Sequence, residues 1–347
     1  MMCSDLHSAL ASLLARYEKD QIAFVYDSRL SDAVHSLTAQ WPDCSLPLNI
    51  SENDKSLQTV SQIWDHLLAH HMTRRGILVC IGGGTLTDIG GFAAATYKRG
   101  MDYSNIPTTL LAMVDASSGG KTGVNYNGLK NTIGCFASPV QTLVWPGWLK
   151  TLPPHEFLSG FGEMLKTGLI AKKENSDADS LWNRLLRYDL GTMDVEKLTP
   201  LIGECIRIKE QIVSADPRET GLRKVLNFGH TFGHALEEIS LTGAAGLLHG
   251  FAVVYGMIAE LYLSVINMGC PKEPLQQLTQ LMLHYYGRPQ CKCSDREALI
   301  RLMQQDKKNE RTAEINCTLI RQIGVPVINQ VITPEQADEA LEYLFAL

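Results

Sequence analysis

A glycine-rich turn that directly follows a short apolar run is the feature that most constrains the fold of this chain. The run Ile77–Ile81 (ILVCI) is typical of a buried strand, and it continues into IGGGTLTDIGG at residues 81–91. Glycines at a strand end allow backbone N–H groups to approach a phosphate at the start of the next helix. The spacing is neither G-x-G-x-x-G, because Thr87 stands at the last glycine position, nor a Walker loop, because no Gly-Lys-Ser/Thr closes it.

A second glycine turn follows in the same part of the chain. The segment SSGGKTGV carries Lys121, and Thr108, Thr109 and Asp115 lie between the two turns. Either turn alone is equally compatible with a tight turn that binds nothing. Two such turns in one sheet domain favour a dinucleotide site at the carboxyl ends of the strands.

Strand and helix patterns alternate in the first half of the chain, and helical patterns dominate the second. Gln21–Tyr26 predicts a further strand and Ser61–Ala69 a helix, which is the order of a parallel sheet with covering helices. Helical periodicity then occurs in segments 157–172, 181–188, 195–213, 225–239, 251–266, 275–286 and 295–305, and only 315–319 resembles a strand. We therefore predict an α/β domain with a Rossmann-like parallel sheet over residues 1–153 and a mostly α-helical domain over residues 154–347.

The composition restricts the classes of function. The 347 residues include 31 Lys and Arg against 37 Asp and Glu, and this net acidic balance argues against non-specific binding to nucleic acid or membrane surfaces. Nine scattered cysteines without C-x-x-C predict reduced thiols and a cytoplasmic location. The N-terminal segment lacks the basic start and apolar core of a secretory signal. The longest apolar run, Phe251–Met268, contains Glu260, so we expect no membrane span.

The segment LNFGHTFGHALE predicts a metal site. His230 and His234 are one helical turn apart on one face, the spacing of a zinc pair, but Thr231 replaces the glutamate of the H-E-x-x-H proteases. With His249 and Glu163 the chain offers histidines and a carboxylate for an open, catalytic zinc site. A single histidine here is more often a satisfied core or cap residue, whereas the whole set in apolar, glycine-rich surroundings is costly to leave unpaired.

Basic side chains accompany the candidate metal residues. Lys166 follows Glu163 by one turn, Lys209 lies in a later helical segment, and Arg223 precedes Asn227 at helical spacing. The sequence DKKN at 306–309 adds two lysines. Each of these is on its own more often a solvated surface charge. Together they predict an anionic substrate that carries a carboxylate or a phosphate.

Several motifs taken in order resemble the 3-dehydroquinate synthase family of the sugar phosphate cyclase superfamily. They are GGGTLTDIGGFAAATYKRG, IPTTLLAMVDASSGGKTGVN, LKNTIG, TLP, SGFGEMLKTG, RKVLNFGHTFGHALE, LLHG and DKKN, between about Asp27 and Gly324. The resemblance implies an NAD-binding α/β domain, a helical metal-binding domain and a homodimer. It also implies the conversion of 3-deoxy-D-arabino-heptulosonate 7-phosphate to 3-dehydroquinate and phosphate, in the shikimate pathway of aromatic amino acid biosynthesis. That reaction uses oxidation by NAD, phosphate elimination, reduction by the same cofactor and an intramolecular aldol closure.

The resemblance also implies roles for individual residues. The ligands of zinc (or cobalt) are Glu163, His230 and His249. The NAD site comprises Asp27, Glu52, Lys55, Gly83, Gly84, Asp88, Thr108, Thr109, Asp115, Lys130, Asn131 and Thr151. Substrate is met by Lys121, Lys166, Lys209, Arg223, Asn227, His234 and either Lys307 or Lys308. Arg99 matches a residue that reaches the phosphate in the neighbouring subunit. The resemblance also assigns His234 to the substrate phosphate instead of to the metal.

The sequence departs from the family pattern at three positions. Trp145 stands where Asp is common, and Phe251 stands where Glu is common. Arg29 replaces an Asn that often helps to hold the adenosine end of NAD. These departures affect no implied metal ligand or substrate contact.

Three other functions share parts of this pattern. A sister cyclase that makes an inosose or a valiolone would use the same cofactors, but Arg223 and Asn227 suit a substrate with a carboxylate. A metal-dependent alcohol dehydrogenase would not need the whole basic set. A non-catalytic scaffold would not need the intact set of candidate zinc ligands.

Overall fold

The chain folds as two compact units, Met1–Leu152 and Pro153–Leu347. The structure is a computed structural model, and it describes residues 1–39, 41, 44–172, 179–240, 246–291, 293–305 and 314–347. The two units are described separately below.

The first unit is built on a parallel sheet. Its strands are β1 (Ile22–Asp27), β2 (Ser45–Leu48), β3 (Ile77–Gly82), β4 (Asp102–Pro107), β5 (Lys121–Tyr126), β6 (Leu129–Phe136) and β7 (Gln141–Thr142). Its helices are α1 (Leu6–Leu14), α2 (Ser31–Thr38), α3 (Leu57–Ala69) and α4 (Gly84–Thr96). Five strands pair in the order β2-β1-β3-β4-β7 with every pair parallel, and β5 and β6 form a separate antiparallel hairpin. The predicted α/β fold class is confirmed.

The central strands are apolar because both faces of the sheet are covered. All six residues of β1 and all six of β3 are buried, which is the pattern of strands inside a parallel sheet. Helix α3 covers this core with Ile63 and Leu67, and the Ser56 hydroxyl caps its first turn by accepting from Thr59 N. The helix therefore starts four residues before the predicted segment.

The strand register brings the carboxyl ends of three strands to one edge of the sheet. Tyr26 in β1 pairs with Ile81 in β3, and Gly82 pairs with Pro107 in β4. Asp27, Gly83 and Thr108 therefore lie at the carboxyl ends of three neighbouring strands. This edge is where parallel α/β sheets bind their ligands.

The second unit is mostly helical. Its helices are α5 (Pro154–Ile170), α6 (Leu181–Leu186), α7 (Val195–Ala215), α8 (His230–Ser240), α9 (His249–Met268), α10 (Glu273–Leu281), α11 (Arg296–Gln304) and α12 (Pro334–Ala346). A 3-10 helix at Leu222–Asn227 precedes α8, and a π-helical turn follows α10 at Met282–Tyr286.

The expectation of a single strand in this unit was wrong. Strand β8 (Ile315–Ile320) pairs antiparallel with β9 (Pro326–Ile332). The sequence of β9, PVINQVI, mixes polar residues with valine and isoleucine, and it begins at a proline. A half-exposed strand of this kind gives a weak apolar pattern, so its period of two was missed.

Glycines allow three helices of the second unit to touch backbone to backbone. A Cβ atom added at Gly250, in the first turn of α9, would lie 1.8 Å from Ser159 O in α5. A Cβ atom at Gly256 would lie 1.9 Å from Gly229 O, just before α8. Only glycine fits at either position, so α5, α8 and α9 are fixed at close distance.

Helix α9 is the core helix of this unit. By length and composition it is apolar enough to cross a membrane, with a mean hydropathy of 1.6, but 67% of its apolar window is buried inside the protein. Fully apolar helices are expected at the centre of a large helical core as well as in membranes.

Candidate functional site

Three side chains of the second unit converge on one point. The ligand atoms of Glu163 from α5, His230 from α8 and His249 from α9 all lie within 4.8 Å of one another. Glu163 Oε1 is 3.5 Å from His230 Nε2 and 3.3 Å from His249 Nε2. Ligands bound at about 2.0–2.1 Å to a tetrahedral zinc ion lie about 3.3–3.4 Å from each other. The donor types and their spacing therefore fit a zinc-sized ion.

The second ring nitrogen of each histidine is held by the protein. His230 Nδ1 lies 3.1 Å from Phe228 O, and His249 Nδ1 lies 3.1 Å from Glu237 Oε2. Partners of this kind fix the ring orientation and leave Nε2 of each histidine for a metal. Glu237 was missed from the sequence, although it stands seven residues after His230 and hence two helical turns along the same face.

A buried acid holds the start of α8. Glu260 of α9 is fully buried, and its carboxylate accepts from Gly229 N at 2.6 Å and from Thr231 N at 3.1 Å. These N–H groups lie at the first turn of α8, where a helix has unsatisfied donors and a partial positive charge. Glu260, which interrupts the apolar run of α9, thus fixes the position of His230.

The carboxylate of Glu163 is ionised despite its burial. Its side chain is only 1% exposed, and Lys166 Nζ forms an ion pair with Glu163 Oε2. Burial alone would raise its pKa, but Lys166 and His249 outweigh this effect and lower the pKa of Glu163 to about 2. Burial would likewise lower the pKa of His249, yet the carboxylates of Glu237 and Glu163 raise it to about 10 in the metal-free protein.

Three cationic side chains are buried on α5 and on two elements that contact it. Lys166 on α5, Lys209 on α7 and Arg223 on the 3-10 helix are all buried, and these three elements pack against one another. Lysine and arginine are rarely fully buried unless they are paired. Such a set of cations suits a dianionic ligand beside the metal cluster.

A tight turn before the 3-10 helix holds Arg223. The carboxylate of Asp216 accepts from the backbone N–H groups of Thr220, Gly221 and Arg223 at 2.7–3.0 Å. These bonds lower the pKa of Asp216 to about 2, with Gly221 N–H as the largest cause. The guanidinium of Arg223 donates to Pro217 O at 2.9 Å, so both its backbone and its side chain are fixed.

Asn227 is oriented by a residue that was also missed from the sequence. Its side-chain amide donates to Glu219 Oε1 at 2.8 Å. Glu219 has a positive φ of 59°, which is uncommon for a non-glycine residue and often marks a functional turn. No spacing rule connects Glu219 to Asn227, because the connection depends on the path of the turn.

In the first unit, the glycine turn after β3 forms a cradle. A Cβ atom at Gly84 would lie 2.8 Å from Ala116 Cβ, and one at Gly83 would lie 3.3 Å from Thr109 Cγ2. The turn thus packs tightly against the segment that follows β4. Backbone N–H groups at the start of α4 are available to a phosphate there.

A polar network joins this cradle to the turn after β2. Lys55 Nζ donates to Asp88 Oδ2 at 2.5 Å, and Thr85 Oγ1 donates to Glu52 Oε2 at 2.8 Å. Asn125 of β5 donates to Glu52 Oε1 at 3.0 Å. The structure thus brings together three residues of the implied NAD site, together with Thr85 and Asn125, which were not predicted.

Comparison with known sequences decides the family. Residues 45–159 match the family "3-dehydroquinate synthase N-terminal", and residues 160–309 match "3-dehydroquinate synthase C-terminal". The chain belongs to the 3-dehydroquinate synthase family. The 3-dehydroquinate synthase of Parabacteroides distasonis is 40% identical over 99% of this chain and 96% of its own length. That of Halorhodospira halophila is 39% identical over 86% of this chain and 82% of its own.

Solved structures place the fold of this family member among the cyclases. The 2-epi-5-epi-valiolone synthase of Streptomyces hygroscopicus, solved with NAD+ and Zn2+, has a TM-score of 0.83 and 27% identity, over 99% of this chain and 95% of that one. A 2-deoxy-scyllo-inosose synthase solved with carbaglucose-6-phosphate, NAD+ and Co2+ has a TM-score of 0.81 at 24% identity, over 99% and 95%. The second likeness concerns the fold alone.

The remaining residues that the 3-dehydroquinate synthase resemblance implies are placed as follows. Thr108 and Thr109 follow β4, Asp115 lies in a π-helical turn, Lys121 begins β5, Lys130 and Asn131 lie on β6, and Thr151 ends the 3-10 helix before α5. Asn131 N donates to Asn125 Oδ1 at 2.9 Å, which joins β6 to the polar network. Lys307 and Lys308 lie outside the described residues.

Two implied residues stand apart from these groups. His234 does not belong to the set of candidate ligands among the described residues, although its ring centroid is 5.2 Å from that of His230. Arg99 is exposed and follows α4, so it lies towards the amino-terminal ends of the strands, opposite the glycine turn.

Proposed function

We propose that this chain is a 3-dehydroquinate synthase, which converts 3-deoxy-D-arabino-heptulosonate 7-phosphate to 3-dehydroquinate and phosphate. The observation that carries the proposal is the cluster of buried Glu163 and His230 with half-buried His249, next to Lys166. This cluster combines a metal-binding donor set with a cation for an acidic substrate. The family membership supplies the reaction in which both are required.

The metal proposed for the cluster is zinc or cobalt. Both Glu163 oxygens are buried, and their contacts are ion pairs with Lys166, His230 and His249 rather than hydrogen bonds of standard geometry. Two imidazoles and one carboxylate suit zinc and leave one position open for a substrate oxygen. When bound, the metal polarises a substrate hydroxyl, while NAD accepts a hydride and later returns it.

We assign NAD to the carboxyl edge of the parallel sheet. A larger residue at Gly83 or Gly84 would press against Thr109 or Ala116, so glycine lets the turn pack closely. The first N–H groups of α4, which follow this turn, suit a pyrophosphate. The proposed NAD residues at this edge and beside it are Asp27, Glu52, Lys55, Asp88, Thr108, Thr109, Asp115, Lys130, Asn131 and Thr151.

The substrate is proposed to meet the buried cations of the second unit. Lys166, Lys209 and Arg223 are suited to hold its carboxylate and phosphate by charge-assisted hydrogen bonds. Asn227, held by Glu219, supplies a further oriented amide. His234, one turn after His230 in α8, is proposed to hold a proton near the phosphate. Lys121 and either Lys307 or Lys308 complete the proposed substrate set.

A second candidate function is that of a sister cyclase. It is favoured by the fold likeness to the valiolone synthase and would use the same metal and NAD sites. The two functions differ in whether the substrate carries a carboxylate. Arg223, fixed by Asp216 and Pro217, is a rigid two-donor group of the kind that binds carboxylates, and this feature favours 3-dehydroquinate synthase.

A homodimer with Arg99 at the neighbouring site is also proposed. Lys98 and Arg99 both have positive φ values, a backbone conformation that costs free energy in residues other than glycine, and Arg99 is exposed. The nearby hairpin strand β6 exposes Leu129, Ile133 and Phe136, which suits a contact between two copies of the chain. A cytoplasmic location, which the scattered cysteines without C-x-x-C suggest, is part of this proposal.

A turnover assay tests the proposed reaction. Protein loaded with zinc would be mixed with a trace of NAD and the heptulosonate phosphate, and phosphate and 3-dehydroquinate would be followed together. The expected result is equal formation of both products in amounts that exceed the NAD supplied. Turnover of sedoheptulose 7-phosphate or glucose 6-phosphate in place of this substrate would assign the chain to a sister cyclase.

Arg223→Ala tests the residue on which the choice of substrate depends. A charged hydrogen bond contributes about 1.5–3 kcal/mol, so kcat/KM should fall roughly ten- to hundredfold. Arg321→Ala, at an exposed arginine of the same unit, is the matched control and should leave kcat/KM unchanged. Equal effects of the two substitutions would refute the role of Arg223.

A further inference from the structure

The end of β1 carries an acid and an arginine in direct contact. Asp27 is the last residue of β1 and is 4% exposed. The guanidinium of Arg29 grips its carboxylate as a fork, with Nε 2.9 Å from Oδ1 and Nη2 2.5 Å from Oδ2. Arg29 Nη2 also donates to Ile50 O at 3.2 Å, while 72% of the arginine side chain is exposed.

The position of this pair in the sheet is that of a ribose-recognition site. Strand β1 lies next to β3 and parallel to it, and Asp27 is level with Gly82, where the glycine turn begins. In dinucleotide-binding sheets, an acid near the end of the neighbouring strand accepts from the adenosine ribose 2′-hydroxyl. An arginine near the same place accommodates a 2′-phosphate instead. The end of β1 presents both groups.

The fork changes what Asp27 offers to a dinucleotide. A lone carboxylate attracts a ribose hydroxyl and repels a phosphate dianion. With Arg29 bound to both of its oxygens, the acid is neutralised and part of its acceptor capacity is already used. Because Asp27 is buried, loss of the guanidinium would leave its charge unpaired at high cost. However, 72% of the Arg29 side chain is exposed, so a 2′-phosphate can contact the guanidinium while the fork to Asp27 stays in place.

We propose that Arg29 sets the dinucleotide specificity of this chain, so that NADP binds at the NAD site with an affinity close to that of NAD. The inference rests on the proposed function, because it requires the NAD site at this edge of the sheet. The chemical class recognised is a ribose 2′-phosphate. Discrimination between the two dinucleotides then depends on one exposed side chain rather than on the shape of the cradle.

Direct binding measurements test the proposal without turnover. The dissociation constants of NAD and NADP would be measured by titration calorimetry on the full-length, zinc-loaded protein. The expected ratio of the NADP constant to the NAD constant is below about ten in the wild type. Arg29→Asn should raise that ratio roughly ten- to hundredfold, the effect of removing a charge-assisted hydrogen bond, and leave NAD binding within a few-fold.

The matched control is Arg75→Asn. Arg75 is an exposed arginine of the same unit that precedes β3, at the opposite end of the strands, and its replacement should not change the ratio. An NADP constant more than about tenfold above that of NAD in the wild type, or a ratio unchanged by Arg29→Asn, would overturn the inference and leave the proposed function intact. Absence of binding by both dinucleotides would overturn the NAD site itself, and the proposed function with it.

Salt dependence gives a second readout. A 2′-phosphate held by an exposed guanidinium is screened by added salt, whereas a ribose hydroxyl is not. NADP affinity should therefore fall more steeply than NAD affinity as ionic strength rises. The two slopes should become alike in Arg29→Asn, and alike slopes in the wild type would contradict the role of Arg29.

Discussion

The contact between α5 and α9 at Gly250 allows the metal cluster to be tested without touching a ligand. Glu163 lies on α5 and His249 begins α9, so the distance between these helices sets the distance between the two donors. A methyl carbon at Gly250 would lie 1.8 Å from Ser159 O. Even a favourable C–H···O contact requires about 3.3–3.6 Å between carbon and oxygen, so the backbones must separate locally by about 1.5 Å.

The magnitude of this displacement decides the expected effect. Metal–ligand distances must be kept to within about 0.2 Å. If only a fifth of the displacement at Gly250, about 0.3 Å, reaches Glu163 or His249, that donor is already misplaced. Overpacking of this kind costs about 1–3 kcal/mol of unfolding free energy. We therefore expect Gly250→Ala to fold with a lowered Tm and to bind zinc at least about tenfold more weakly, a loss of about 1.4 kcal/mol.

The assay is zinc competition against a fluorescent chelator, with Tm measured in parallel. The control is Gly269→Ala, the same substitution at the other end of α9, where φ is 67° and no atom lies within 4 Å of an added Cβ. Its left-handed backbone should cost about 1–2 kcal/mol without moving any ligand. Wild-type zinc affinity in Gly250→Ala, or equal loss in both variants, would refute the reasoning.

Three further predictions concern residues that the sequence did not reveal or only partly explained. Glu237→Gln should weaken zinc binding about ten- to hundredfold with little change in Tm, because His249 loses its charged partner; unchanged affinity in the chelator assay would contradict this. Thr85→Val removes the hydroxyl that donates a hydrogen bond to Glu52. The NAD dissociation constant should therefore rise a few-fold, which is a loss of about 1 kcal/mol of binding free energy, and calorimetry would measure it. Because the pKa of Asp216 is lowered to about 2, its ionised form stabilises the fold above its ordinary pKa, and this contribution is lost as pH falls towards 2. In urea unfolding, wild type should therefore exceed Asp216→Asn by a constant margin at neutral pH that shrinks below about pH 4, and a margin independent of pH would count against it.

The pattern of apolar residues in the sequence predicted those strands that are buried on both faces and those helices that bury one face. The runs at β1 and β3 are buried on both faces, and α3 and α7 have one apolar face each, so their periods are clear. The glycine turn implied a helix after β3, but the extent of α4 was not predicted, because nearly all of its faces are buried and its glycines resemble a loop. Its helical form depends on the sheet and the helices around it rather than on its own propensity.

The candidate site shows the same division. The helical spacing of His230 and His234 was correct as a shared face, yet the set of candidate ligands among the described residues contains His249 instead. His249 comes from a different helix, and its approach depends on the glycine contacts that bring α8 and α9 together. The residues alone offered His249 as a candidate beside His234, and the resemblance to a family chose it as the third ligand. Glu237 and Glu219 were missed because a partner of a ligand or of a substrate residue leaves no motif of its own.

The buried Glu260 has a consequence for the order in which the second unit assembles. A carboxylate can enter the apolar interior only when donors are ready to receive it, and its donors are the first N–H groups of α8. We therefore expect helices α8 and α9 to form together, since the end of α8 at Ser240 and the start of α9 at His249 are close in sequence. Such local pairing is fast, whereas α5 joins from more than 60 residues away in the chain. We therefore expect the two histidines to be in place before the glutamate arrives, so that tight metal capture is a late event of folding.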